Sequence, residues 1–556
     1  MTWDRRGVSG GSHPSLQVIE EPVVIGVSMS ESESESASQP VGEFVLPDYM
    51  KDPKSVSSAK LSRHLSTAGF GRLTTSGESP SWVRVHEGKL SSVTERDVRR
   101  YLCDDAESLE CDDAIVDVVL NTRSVVPALT RLPLLSLDPQ SRVGTRIPLL
   151  VDDPQTVRFP FENGIVTITA DAIRLIPYGA EPWVTPVERV IPHEVDLEAA
   201  TALGRFETFC ERAFYRPTSV GGRDWTADFA MTDDAAAHYR AFQGTLGYLL
   251  HGYRDPANPR AVLYVDMDSD QSLAEGGNGK SLTLRALRHL RQTVFQDGKR
   301  YGASREGARF QFSNVTETTQ LVVIDDVTKA FNFETLFALL TGDMELERKG
   351  RDKTVLPAHR VPKVALTSNY VLPPNGTSFE RRVYLVEFGS YWTTAHRHGE
   401  RLSDPKHLGC RLFEAGFTAQ AWQDAFGYLF RCVQQYLREG VQPASLDLYR
   451  VKALRRELGT EFLDWATEFF ETYDVRRVDP QVGEYLTDLC QAMKVNSGDT
   501  RCAPTEFAGW LKRVADVCGY EYNPHKADKG NTPTARRWRI TSVFGRIDDA
   551  VWFVKR

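Results

Sequence analysis

Between residues 261 and 290 an apolar strand, AVLYVDM, gives way to a glycine-rich turn and then to an amphipathic helix. The turn carries Gly276, Gly277 and Gly279 immediately ahead of Lys280 and Ser281. Few segments constrain a chain more. Glycines let successive backbone N–H groups close on an anion, the helix N-terminus adds its dipole, the lysine reaches β and γ oxygens, and the serine hydroxyl ligates Mg²⁺. Gly276, Gly277, Asn278, Gly279, Lys280 and Ser281 are therefore the expected polyphosphate-binding set. The strict pattern wants glycine at 274, where Ala274 stands; the glycine pair and the Gly-Lys-Ser core are intact, so the departure touches the pattern and not the chemistry.

About forty residues on, TQLVVIDDV supplies a buried strand (321–324) ending in Asp325 and Asp326. Phosphoryl transfer calls for such a pair, Asp325 in the Mg²⁺ shell and Asp326 orienting or deprotonating the attacking water. A third strand, VPKVALTSNYVL, ends in Thr367-Ser368-Asn369, at the edge where open α/β sheets bind ligands. Asn369 is expected at the attacking water or the γ-phosphate. In SFERRVYLVEF, Arg381 and Arg382 precede another strand. Alone, a double arginine is usually a solvated face; in this order either is a candidate finger acting in trans, a device worth about 10³ to 10⁵ in rate. The acids of Val265-Asp266-Met267-Asp268 mimic a primase pair but lack a partner histidine motif, so they read as the strand feeding the loop.

The order GGNGKS, LVVIDD, LTSN, SFERRV within some 110 residues resembles the superfamily 3 helicases of phages, plasmids and DNA viruses. The resemblance covers residues 255–390 and implies an AAA+ type α/β core with a parallel-rich sheet, ATP and Mg²⁺ as cofactors, and a homohexameric ring translocating 3′ to 5′ on single-stranded DNA. It also implies a role in phage or mobile-element replication, in the host cytoplasm. In LTGDMELERKGRDKTVLPAHR two strand-like pieces flank a basic tip. By the family's pattern that hairpin lines the pore, which assigns Lys349, Arg351 and Lys353 to DNA phosphates. No complete primase site is legible, so a separate primase or polymerase is an expected partner. The competing readings are a P-loop motor acting on protein or duplex DNA, and an initiator that binds an origin and uses ATP to assemble.

The flanks divide by texture. Residues 1–46, with the repeat SESESESAS, cannot bury enough apolar surface to offset ordering entropy and read as a disordered tail. Residues 47–195 read as a small α+β domain, with a helical start over 48–66 and a hairpin at Asn163-Gly164 running to Tyr178. Residues 196–255 read as a helical collar, 256–395 as the ATPase core, 396–455 as a helical segment, and 456–556 as a winged-helix-like domain with strands at 537–540 and 551–554. Residues 520–556 hold eight basic against four acidic residues with Trp538 interleaved, a modest signal for DNA. The whole chain of 556 residues has a net charge of −8, so any nucleic-acid contact must be local. No 18-residue apolar run is present, which argues against a membrane span. The eight cysteines lie far apart without C-x-x-C and read as reduced, mostly buried thiols of a cytoplasm-like compartment.

Overall fold

The computed structural model describes residues 46–555, except 75–78, 138–141, 201–202, 219–224, 267–275, 302–311, 317, 329–330, 348–353, 371–378, 380, 445–446, 473–483, 486–488, 492, 495–503, 523–537, 542–546 and 552. The proposed tail, the basic hairpin tip with Lys349, Arg351 and Lys353, and most of the basic C-terminal stretch fall outside the described residues.

The centre is a mixed α/β body around one five-stranded, wholly parallel sheet. Its strands lie in the order Thr293–Asp297, Leu321–Asp325, Lys363–Ser368, Ala261–Asp266, Val383–Phe388. Both faces are covered. Val262, Tyr264, Leu321, Val323, Ala365, Val386 and Phe388 enter one core, whereas Ala261, Leu263, Val265, Val322, Ile324, Val364, Leu366, Val383 and Leu385 enter the other. Strands buried on both sides need apolar residues at every position, which is why these read as continuous hydrophobic runs.

The helices Arg205–Arg212, Asp233–Leu250 and Ala419–Glu439 share the first core with the sheet. The segments read as a collar (196–255) and as a separate helical stretch (396–455) thus form one layer against the sheet. Their aromatic stripes interlock with each other and with the sheet: Phe206 meets Tyr428 and Phe242 meets Phe388 of the edge strand edge-on, at 5.8 and 5.5 Å between centroids. Helix Glu334–Thr341 belongs to the opposite core with Phe331, Phe333 and Phe379.

The hairpin at Asn163-Gly164 forms and gains a third strand: Val157–Phe161, Gly164–Ile168 and Ile173–Ile176 make an antiparallel sheet. Its placement differs from the expectation. Phe159 stacks on Phe430 at 5.7 Å and Phe161 meets Phe426 at 5.1 Å, so the hairpin packs on the central body and not inside the domain that precedes it. That domain has its own core, from Tyr49 to Leu132. It begins with a short strand pair, Met50–Asp52 and Ser55–Val56, where a helix was expected from 48. Pro53 and the Asp52 carboxylate explain the change, because Asp52 Oδ1 accepts from the Lys54 N–H (2.9 Å) and closes a turn before Ser57 caps the helix Ser58–Thr67.

At the C-terminal end, helices Asp447–Leu458, Thr460–Thr472 and Pro504–Val517 enclose a third core. Strand Tyr520–Tyr522 pairs with Phe553–Lys555, and Ile547–Val551 pairs with Trp538–Thr541 and with Glu484–Tyr485. The two expected strands are therefore joined by others, since the run at 551–554 splits between two neighbours. Of the described cysteines, all free, Cys210, Cys432 and Cys490 are buried and Cys103, Cys111, Cys410 and Cys518 are half-buried, fewer buried than the spacing implied. Among the described residues no helix is long and apolar enough to cross a membrane.

Candidate active site

The strand order decides what meets the glycine turn. Strand Lys363–Ser368 is inserted between Ala261–Asp266, which feeds the turn, and Leu321–Asp325, which ends in the acids. Parallel strands deliver all three C-terminal ends to one edge. Thr367 and Asn369 consequently stand between the glycine turn and the acid pair.

Gly276, Gly277 and Gly279 adopt left-handed φ of 70°, 88° and 97°, which a side chain would strain. A Cβ on Gly279 would also stand 2.5 Å from the Phe209 ring, itself stacked on Trp392 at 5.2 Å. The turn ends in helix Lys280–Ala286. Lys280 is buried, its ammonium paired with Asp266, whose Oδ1 also accepts from Asn278 Nδ2 at 2.7 Å. Thr393, on helix Tyr391–Arg397, reaches both the Asn278 side-chain oxygen and the Gly276 carbonyl, the latter at 3.0 Å.

Forty-four residues beyond Ser281, Asp325 comes back to it. Ser281 Oγ donates to Asp325 Oδ1 at 2.6 Å, and Thr367 Oγ1 donates to the same oxygen at 2.6 Å. Thr367 Oγ1 in turn accepts from the Asp326 N–H at 2.8 Å. Asp326 sits at φ 60°, an uncommon conformation for a residue with a side chain. Its Oδ1 accepts from Asn369 Nδ2 at 3.1 Å, and its Oδ2 lies 2.8 Å from Lys299 Nζ. Arg285 reaches Asp325 Oδ2 more loosely, at 3.8 Å.

The fold thus brings together Gly276, Gly277, Asn278, Gly279, Lys280, Ser281, Asp325, Asp326 and Asn369. It does not bring Arg381 or Arg382 to them within one chain. Val383 pairs with Ala261 and Phe388 with Asp266, so both arginines stand at the opposite end of the sheet, roughly 17 Å away along a six-residue strand. Arg381 is exposed, and the Arg382 guanidinium lies over the Phe337 ring at 4.7 Å. The strands flanking the basic tip, Met344–Leu346 and Thr354–Leu356, pair antiparallel as a hairpin.

Four residues escaped the sequence reading. Asp266, set aside there as a strand residue, is the buried counter-ion of Lys280. Thr367 was visible only as part of a polar strand end, and Thr393 and Lys299 carried no motif. The oxygens of Ser281 and Asp325 are hard donors of the kind that suit Mg²⁺, which keeps most of its waters and takes one or two protein ligands.

No known protein family matches the chain, and no curated protein does. Among solved structures, the A form apo structure of the NrS-1 C-terminal region aligns with 90% of this chain and 99% of that one, at 9% identity and a TM-score of 0.36. JCV helicase, in complex with a thiazolopyridine-containing acetamide, aligns with 46% of this chain and 74% of that one, at 14% identity and a TM-score of 0.22.

Proposed function

We propose that this protein is an ATP-dependent DNA helicase of the superfamily 3 type, working as a homohexameric ring on single-stranded DNA in phage or mobile-element replication. The observation that carries the reading is the convergence of Ser281, Asp325, Asp326 and Asn369 on one sheet edge, linked directly or through Thr367 by hydrogen bonds of 2.6 to 3.1 Å, with Lys280 next to Ser281 and paired with Asp266. A glycine turn of left-handed residues opening a helix supplies the phosphate cradle beside them.

In this mechanism Lys280 leaves Asp266 for the β and γ oxygens of ATP, where its charge offsets the negative charge that develops in transfer. Asp266 pairs with the Lys280 charge and holds the ammonium at the mouth of the turn. Ser281 and Asp325 would hold Mg²⁺, which would supply positive charge against the phosphates. Asp326 orients the attacking water, and Asn369 fixes the Asp326 carboxylate while facing the γ-phosphate. Arg381 or Arg382 serves the site of the neighbouring subunit, a role that suits residues a strand's length from their own loop. Lys349, Arg351 and Lys353 take the DNA backbone in the pore, and a separate primase or polymerase supplies synthesis.

The test is ATP hydrolysis by the purified chain with and without single-stranded DNA, alongside displacement of a strand from a 3′-tailed duplex. Stimulated hydrolysis with displacement, both abolished in Lys280→Ala while helix content is unchanged, is the expected result. Normal turnover in Lys280→Ala would overturn the site. Hydrolysis without displacement would leave the ATPase and move the protein to the initiator or non-unwinding motor.

A further inference from the structure

We propose that Lys299 is a positioning residue of the hydrolytic site, holding the Asp326 carboxylate in the orientation the attacking water requires. The inference rests on the reading of that site as one that hydrolyses ATP.

Three observations carry it. First, Asp326 is gripped at both oxygens: Asn369 Nδ2 donates to Oδ1 at 3.1 Å and Lys299 Nζ lies 2.8 Å from Oδ2. Two partners on opposite oxygens fix the plane of the carboxylate, which one partner leaves free to rotate. Second, the fold builds the place where Lys299 stands. Strand Thr293–Asp297 runs beside Leu321–Asp325 with Asp297 opposite Asp325, so the chain leaving at 298 travels alongside the acid turn. Gly298 packs against that turn so closely that a Cβ would stand 2.6 Å from the Val327 nitrogen, 2.7 Å from the Asp325 oxygen and 2.8 Å from the Asp326 carbonyl carbon. Asp297 Oδ1 then accepts from the Lys299 N–H at 3.0 Å, closing the turn that aims the side chain. Third, Asp326 is held at φ 60° with its N–H on Thr367, so the backbone beneath the carboxylate is fixed as well.

The plain alternative is an exposed ion pair. Lys299 is 66% exposed at its side chain, and exposed pairs contribute little to stability. The two readings part in kinetics. A surface pair leaves turnover alone, whereas misplacing the water by about an ångström costs up to about 10²-fold in rate. The hydrogen bond and negative charge of Asp326 hold the Lys299 ammonium above the ordinary lysine range, so it stays cationic throughout the working pH range.

The experiment compares the full chain carrying Lys299→Ala, Lys299→Gln or Lys299→Arg with the native chain and with Lys280→Ala. It measures steady-state ATP hydrolysis and, separately, binding of a fluorescent ATP analogue. Lys299→Ala and Lys299→Gln should lower kcat by roughly 10- to 100-fold, with KM and analogue affinity within about twofold of native, and Lys299→Arg should recover most of the loss. A native kcat in Lys299→Ala would overturn the proposal and leave a surface pair. So would a raised KM and weakened binding at native kcat, which would make Lys299 a phosphate ligand. If the native chain hydrolyses ATP no faster than Lys280→Ala, the reading of the site itself fails and the proposal falls with it. Gln is carried beside Ala because it keeps the side chain's length where Ala disturbs the turn.

Discussion

Thr367 performs two tasks with one hydroxyl: it donates to the carboxylate of Asp325 and accepts from the backbone of Asp326. Thr367→Val keeps the shape and removes both, leaving a charged acceptor one donor short, a loss of about 1.5 to 3 kcal/mol for bonds of this kind. ATP hydrolysis should drop by roughly 10- to 100-fold with circular dichroism unchanged, and Thr367→Ser should keep most of the rate. A valine variant with native kcat/KM would remove Thr367 from the site. The glycine turn and the acid pair are legible in the sequence because each depends on local order: glycines ahead of Lys280, carboxylates at the end of an apolar run. Thr367, Asp266 and Lys299 are not, because each acquires its role from which strand lies beside which. Nothing in LVVID or KVALTS states that the second is inserted next to the first.

At the scale of elements, the edge of the sheet opposite the site is held by a buried lysine. Lys363 opens its strand, donating to the Tyr248 and His251 carbonyls at 2.6 Å each, with its ammonium over the Tyr248 ring. These contacts tie strand Lys363–Ser368 to the end of helix Asp233–Leu250. Burial pushes the Lys363 amine down from 10.5 to about 7. Between those values the unfolded chain binds the proton that the folded chain does not, so this group's contribution to stability rises with pH across the window and is least at or below about pH 7. Melting temperatures of the native chain and of Lys363→Met at pH 7 and pH 9.5 check the sign. The native chain should gain on the variant at the higher pH, and a gap that stays constant would show that Lys363 is charged in the fold throughout. The elements themselves were mostly legible, since the 3.6 and continuous-run periodicities survive in helices and buried strands. What the pattern does not show is partnership: the hairpin at Asn163-Gly164 is legible, and only the fold shows that helix Ala419–Glu439 covers its Phe159 and Phe161.

Across the whole molecule, the apolar interior is divided. The core from Tyr49 to Leu132, the two that sandwich the parallel sheet, and the core from Leu454 to Phe553 are distinct clusters. Units with separate cores unfold separately when little apolar surface joins them. Leu102→Ala in the first, a change that costs about 2 to 5 kcal/mol, should move one calorimetric transition. Phe161→Ala should move another by about 3 to 5 kcal/mol, and only the second should rise when ATP analogue is added. A single transition displaced equally by both variants would show one cooperative block instead. Texture changes where the chain changes element type, so it does not show that the core on one face of the sheet gathers segments as far apart as Val157 and Ala444. The inserted strand has a mechanical meaning of its own. The chain leaves the Met344–Leu356 hairpin at Leu356 and within seven residues enters the strand that ends at Thr367 and Asn369. A β-strand is already near full extension and cannot stretch. The strand therefore sets a fixed length between two places: the hairpin joins its start through the short turn Ala358–Arg360, and the partners of the acid pair stand at its far end.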